Sequence, residues 1–580
     1  MDVIDRVVGW LDDFVWGGPH VGQEEIPIAV IMLLGTGIFL TLRLGFVQLR
    51  RLGHGFAVTS GKYDDPSEPG DVSHFQALST ALSATVGIGN IAGVAIALHW
   101  GGPGALFWMW VTAFLGMATK FTEVTLAQHY RTVDTHADAT KGTVAGGPMY
   151  YIERGLGPAW KPLAVLFAVL LAITAFFTGN AIQANTLADT VRTTFGVPVI
   201  VTGLISALVV GLVIIGGIRR IGRVTAVLAP LMAAIYVAGA LIVILVNVAD
   251  VPATFALIFR EAFNPTAGVA GTGIGAILVT LMWGVRRGLF SNEAGQGSAP
   301  IAHAAARTDE PVSEGVVALL EPFIDTIVIC SMTGLVIIMT NVWDDKHPTA
   351  LALNSGDISY VATLPDGRMD QGAPLPAEIL VDDGVPATEP GASQFAWHEV
   401  AVDQFFTDPA QTQPFSGTIF PAEFRAVDTQ GTDYRTLYGD AVETGAPLTQ
   451  LGFERGLPGT FGRYIVFLGV LLFAISTAIS WSYYGDRCAN YLFGARAVIP
   501  YRIVYVVMHF VGAVVPLASI WALGDVFLGV VIFPNLIALL LLNGKVKELT
   551  DSYFRRQPWR ENAAAHQRAI EARRRESVVR

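Results

Sequence analysis

The residues best equipped for chemistry lie in two glycine-rich interruptions of apolar runs. The first reads Ser79-Thr-Ala-Leu-Ser83-Ala-Thr-Val-Gly87-Ile-Gly89-Asn90-Ile-Ala-Gly93. Gly87, Gly89 and Asn90 weaken a helix in the middle of an apolar span. A broken helix leaves N–H groups free on one half and C=O groups free on the other, so one end attracts a carboxylate and the other a cation. Irregular backbone at membrane depth is tolerated only around a polar cavity or inside protein. Close packing is the competing use of these glycines, because Gly89 and Gly93 also form a GxxxG. The second interruption is Ser291-Asn-Glu-Ala-Gly295-Gln-Gly297-Ser298. Ser83 to Asn90 and Ser291 to Ser298 share the pattern Ser-x-x-x-Gly-x-Gly followed by a small polar residue.

Isolated polar residues in other apolar runs extend the set. Glu293 is an acid at membrane depth, a functional candidate by default and otherwise a partner for Arg286 or Arg287. The Gln183 amide can bond a neighbouring helix or a ligand. Ser476 and Thr477 put two hydroxyls side by side, for bonding back to their own helix or for holding a small cation. No Gly-Lys-Ser/Thr phosphate loop is present, which argues against ATP hydrolysis. His74, His99, His129 and His303 are scattered without metal-ligand spacing. Cys330 and Cys488 sit in or beside apolar runs and suggest neither a disulfide nor a metal site.

These residues need a membrane-embedded bundle to position them. The chain is 52% hydrophobic and 15% charged, with mean hydropathy +0.51. Hydropathy predicts about eleven spans, near 27–46, 76–99, 104–128, 162–190, 197–216, 224–247, 271–290, 316–341, 461–483, 500–520 and 525–543. The seventh is expected to continue as a half-helix to about residue 306. The interruptions fall in the second span and after the seventh. Five spans of separation reverse direction, the sign of an inverted repeat. Arg43, Arg50, Arg51 and Lys62, then Arg219, Arg220 and Arg223, then the tail after Gly544 place their positive charge on one side. The positive-inside rule makes that side cytoplasmic, with the amino terminus outside and the carboxyl terminus inside.

Residues 343–460 carry 18 Asp/Glu against 5 Lys/Arg, a net charge of −13 beside −11 for the whole chain. This stretch reads as an external insertion, either a small β-rich domain or a partly disordered cover. Ile4, Val7, Val8, Leu11, Phe14 and Val15 predict a helix lying at the membrane surface. Arg573, Arg574 and Arg575 suit a solvated helix or anionic lipid heads. The expected divisions are 1–26, 27–75, 76–250, 251–342, 343–460, 461–544 and 545–580. Membrane lipid is an expected partner and nucleic acid is not. A channel would need filter rings, of which there is no sign; a sensor would use the acidic segment or the tail to bind another protein.

At the interruptions the chain resembles the alanine or glycine:cation symporter family. The resemblance is carried by Gly87-Ile-Gly89-Asn90-Ile-Ala-Gly93, by Gly101-Gly-Pro-Gly-Ala-Leu-Phe-Trp-Met-Trp110 running on to Gly116, and by Gly146-Gly-Pro-Met-Tyr-Tyr151. Arg287-Gly-Leu-Phe-Ser-Asn-Glu293-Ala-Gly295 and Trp481-Ser-Tyr-Tyr-Gly485 complete it. It implies an all-α membrane protein of leucine-transporter type, five plus five spans in inverted repeat after one extra span. It also implies symport of a small neutral amino acid, alanine or glycine, with sodium. Substrate positions would be Thr85, Gly87, Gly89, Asn90 and Gln183, with Phe290, Asn292 and Trp481 as wall or gate residues. Ala84, Ser476 and Thr477 would hold the sodium ion. Ile88 stands where the family pattern implies a hydroxyl residue. Alanine against glycine, sodium against a proton, and the number of copies stay open at this point.

Overall fold

A computed structural model describes residues 2–21, 24–65, 67–133, 144–265, 274–355, 358–363, 369–370, 373–387, 392–515 and 517–563. Arg573 to Arg575 lie outside the described residues, as do the side chains of Ile4, Val7 and Val8. The chain is mostly helical. Among the described residues six helices are long and apolar enough to cross a membrane, or up to eight if each of two bent pairs is one span.

The amino-terminal half comprises α1 (Asp2–Trp16), α2 (Ile28–Arg43), α3 (Val47–Thr59), α4 (His74–Thr85), α5 (Val94–Gly101), α6 (Gly104–His129), α7 (Pro148–Leu156), α8 (Lys161–Phe176), α9 (Ile182–Phe195), α10 (Val199–Ile214) and α11 (Gly217–Val246). Then follow α12 (Val251–Phe263), α13 (Ile274–Asn292), α14 (Ala299–His303), α15 (Pro311–Ala318), α16 (Leu320–Pro322), α17 (Ser331–Met339), α18 (Gly445–Gly456), α19 (Phe461–Phe493), α20 (Val498–Val514) and α21 (Leu517–Arg556). Short π-helical turns at Gly89–Gly93, Phe177–Ala181 and Phe323–Cys330 lead into α5, α9 and α17.

The helices that are long and apolar enough by themselves are fewer than the eleven expected spans for local reasons. α6 has the length, yet it carries Lys120 and Glu123 and is not among the six. α10 is only 16 residues long. α3 turns 79° away from α2. Gly45 and Phe46 make that corner in the left-handed region, at φ 63° and 56°, where glycine is at home and phenylalanine is not.

The bundle packs α6 against α13 and α15, α10 against α20, and α19 against α8, α9 and α11. The described part of 343–460 is not a loose cover. Their described strands form a four-stranded and a five-stranded sheet, together with a ladder pairing His347–Ala352 with Thr436–Ala441. Leu351, Phe395, Phe405, Phe415, Ile419 and Leu437 bury a core of their own. The stretch ends in α18, which returns to the bundle and packs on the Gly89–Gly93 turn.

Candidate functional site

The site forms where two helices stop at the same depth. α4 starts with a capping box between Ser73 and Gln76. It ends at Thr85 because Val86 leaves the helical region and the next residue is glycine. The π turn at Gly89–Gly93 restarts the helix at a bend of 53°. α13 ends at Asn292, and Glu293, Gly295 and Gly297 all follow at positive φ: 56°, 93° and 80°. Glu293 occupies a conformation that costs an L-residue roughly 1–2 kcal/mol. It is held there by its side chain: Trp481 Nε1 donates to Oε1 at 2.9 Å and Ser298 Oγ donates to Oε2.

Asn90 joins the two breaks. Its Oδ1 accepts the Gly87 N–H at 2.8 Å. Its Nδ2 lies 3.1 Å from Ser291 Oγ and 2.7 Å from Asp325 Oδ1. Thr333 Oγ1 donates to its carbonyl at 2.7 Å. The next amide of the break, Ile88 N–H, donates to Gln183 Oε1 at 3.3 Å. The sequence predicts free N–H groups here; instead two side-chain amide oxygens cap them. That is the ordinary requirement for buried backbone donors.

Asp325 is a second anchor that the sequence reading passed over. It lies in the π turn before α17 and is fully buried. Asn90 and Thr326 donate to it at 2.7 Å each, and Ser291 at 2.6 Å. Asn292 Nδ2 reaches Thr326 Oγ1 at 3.2 Å and adds a second layer. The available signal was an acid inside the apolar run 316–341, which also holds Glu321; the same signal singles out Glu293.

Two of the three candidate ion positions, Ala84 and Thr477, meet the same break, and Ser476 does not. Thr477 Oγ1 donates to the Ser83 carbonyl at 3.1 Å. A Cβ on Gly87 would sit 2.6 Å from that hydroxyl, and one on Gly89 only 2.8 Å from Phe290. Ser83 Oγ is buried with no hydrogen-bond partner among the described residues. Ala84 is buried beside it, while Thr85 bonds back to the carbonyl of Ala81. Ser476 turns toward α11, its hydroxyl on Phe473 O at 3.0 Å and Met232 Sδ at 3.2 Å. Trp481 lies on Gly179, where a Cβ would fall 2.2 Å from the indole. Thr85, Gly87, Gly89, Asn90, Gln183, Phe290, Asn292, Trp481 and Thr477 are all buried, so the site is closed on every side.

Two expectations change. Arg286 and Arg287 do not pair with Glu293; both bind Asp525, at 2.9 Å and 2.8 Å. His74 and His303 are not scattered. Both bond to Glu314, and His303 continues to Glu321 at 2.6 Å, which holds Lys120 at 3.1 Å. This buried chain joins the start of α4 to α14, α15, α16 and α6. Removing one partner from such a chain strands the other charges, at about 3–5 kcal/mol.

Apolar helices with two interrupted spans meeting at a buried polar centre define the class of secondary transporters. The chain belongs to the sodium:alanine symporter family, which matches residues 1–362 and 422–567. The sodium/alanine symporter AgcS of Methanococcus maripaludis is 39% identical over 95% of this chain and 98% of its own length. The putative sodium/proton-dependent alanine carrier protein YrbD of Bacillus subtilis is 32% identical over 88% of this chain and 87% of its own. The crystal structure of MhsT in complex with L-phenylalanine aligns with a TM-score of 0.47 at 10% identity, over 82% of this chain and 90% of that one. The chain is therefore a multi-pass, cation-coupled amino-acid symporter rather than an enzyme.

Proposed function

We propose that the chain takes up a small neutral amino acid, alanine or glycine, together with sodium, by alternating access. One observation carries this reading: the Gly87 and Ile88 N–H groups at the helix break are each held by a side-chain amide oxygen, from Asn90 and Gln183. A substrate carboxylate supplies the same kind of acceptor with a negative charge. Charge-assisted bonds are about twice as strong as neutral ones, so the exchange favours the substrate. Tight contacts at Gly87 and Gly89 leave little room beside this anchor, which favours a hydrogen or methyl side chain.

Sodium falls to the carboxyl end of α4, where the helix dipole is negative. The ligands there are the Ala84 region, the unpartnered Ser83 hydroxyl and Thr477, joined by Ser476 once its hydroxyl turns from Phe473 and Met232. Phe290, Asn292 and Trp481 wall the cavity. The fold has eleven spans, five plus five in inverted repeat after α2, with the amino terminus and residues 343–460 outside. α18 then closes the outer side, through Thr449 Oγ1 donating to Ile91 O at 2.9 Å. The His74–Glu314–His303–Glu321–Lys120 chain closes the inner side. Opening inward breaks that chain, separating His74 of α4 and His303 of α14 from Glu314 of α15 and Glu321 of α16.

Gln183→Ala removes the amide that, once the substrate carboxylate has taken Ile88 N–H, bonds the bound substrate. We expect substrate affinity to fall roughly tenfold, equivalent to 1–3 kcal/mol for one unpaired buried group. The melting temperature in detergent should change by no more than a few degrees. Isothermal titration of the purified protein with alanine measures the first quantity. Unchanged affinity would make Gln183 a packing residue only.

A further inference from the structure

Far from the transport site, a cleft of about 270 Å³ opens where α3 meets the end of α21. Arg50, Arg51, Lys547 and Arg555 line it, against the single carboxylate of Asp551. Lys547 pairs with that carboxylate at 2.5 Å, so one cation is neutralised and three guanidinium groups stay in excess. Their geometry is partly set in advance. Arg51 lies over the Phe554 ring at 3.7 Å, and Arg50 donates to the Gly45 carbonyl at 3.3 Å. Planar guanidinium groups of this kind match phosphate oxygens well.

The position of the cleft says which phosphate. α2 exposes Ile31, Ile38, Phe39 and Leu42 along its length, as a lipid-facing helix does. α3 leaves it at 79°, so an α2 that crosses the membrane sets α3 along the membrane plane at its edge. One stripe of α3, Val47, Arg50 and Arg51, faces α21. The neighbouring stripe exposes Phe46, Leu49 and Phe56, with Leu49 at 68%. On α21, Leu541 is also exposed, two turns before Lys547. An apolar surface that ends at a cationic cleft is the profile of the headgroup level. Free phosphate meets only the charges, whereas a phospholipid meets the charges and the apolar flank.

We propose that this cleft is a binding site for the phosphate of an anionic phospholipid, whose acyl chains lie along α2 and the outer stripe of α3. The leaflet is the cytoplasmic one if the topology proposed above holds. The site itself requires only that the bundle be in a membrane, and not any particular substrate or ion.

Native mass spectrometry of the full chain in detergent tests this. The probes are phosphatidylglycerol and phosphatidylcholine with identical acyl chains, and inorganic phosphate. The wild type should retain phosphatidylglycerol over phosphatidylcholine by roughly tenfold. Arg50→Ala with Arg555→Ala should bring that preference to parity. Arg220→Ala with Arg223→Ala, an equal charge loss at the start of α11, should leave it intact. Should the first pair melt early, Arg555→Gln alone, at an exposed position near the end of α21, carries the same comparison. Equal losses in both pairs would mean a diffuse surface potential and overturn the site. Displacement by inorganic phosphate as readily as by phosphatidylglycerol would mean an anion site without lipid specificity, and would overturn it equally. Alanine uptake in pure phosphatidylcholine vesicles is measured alongside, so that a failed transport reading is told apart from a failed lipid site.

Discussion

Asp325→Asn should reduce alanine uptake by about 50- to 100-fold while leaving the protein folded. The carboxylate receives three donors at once, from Asn90, Ser291 and Thr326, at 2.6–2.7 Å. Hydrogen bonds to a charged group are worth about 1.5–3 kcal/mol each. An amide of the same shape keeps one acceptor but turns an NH2 group toward existing donors. Asn90 then loses the partner that fixes its side chain, and with it the alignment of Gly87 N–H. Two affected bonds amount to about 2–3 kcal/mol after relaxation, and each 1.36 kcal/mol is tenfold in rate. Initial uptake rates at matched protein density, beside a melting curve, separate site from fold. Wild-type uptake by Asp325→Asn would show that the carboxylate does not organise the transport site.

Gly87→Ala should weaken apparent sodium affinity by about tenfold or more. The added methyl falls 2.6 Å from Thr477 Oγ1, closer than a Cβ can sit, while Thr477 Cβ lies at an ordinary 3.5 Å. Either Thr477 rotates away or the break shifts. Rotation loses the bond to the Ser83 carbonyl, worth about 0.5–1.5 kcal/mol, and overpacking adds about 1–3 kcal/mol. Both disturb the place where α4 ends against α19, which is where we propose that sodium binds. The measurement is the sodium dependence of alanine uptake. A normal half-saturating sodium concentration in this variant would move the ion to another site.

The helix break was legible because it is local. Gly87, Gly89 and Asn90 interrupt an apolar run within four positions, and Glu293, Gly295 and Gly297 do so again. Polar residues alone on apolar faces, Gln183 and Thr477, were legible for the same reason, and the structure brings both to Gly87. What the sequence hides is pairing at long range. Asp325 finds Asn90 235 residues away, and Glu314 gathers His74 and His303 from two different helices. No periodicity encodes such a meeting. Charged side chains that pair inside the bundle also blur hydropathy, as Lys120 and Glu123 do in α6. The reversal of α18 onto Ile91 depends on a β-sheet ladder whose strands are far apart in the chain.

Uptake of a neutral amino acid with sodium should move positive charge inward. A zwitterion has no net charge, so each co-transported sodium carries one. That charge gains about 2.3 kcal/mol per 100 mV of inside-negative potential. The decisive measurement is alanine uptake into proteoliposomes under an imposed sodium gradient, with and without a potassium–valinomycin diffusion potential, inside negative. We predict uptake that requires external sodium and rises when the potential is applied. Uptake indifferent to both would contradict symport, and uptake that follows only a pH gradient would transfer the coupling to a proton and to Glu293.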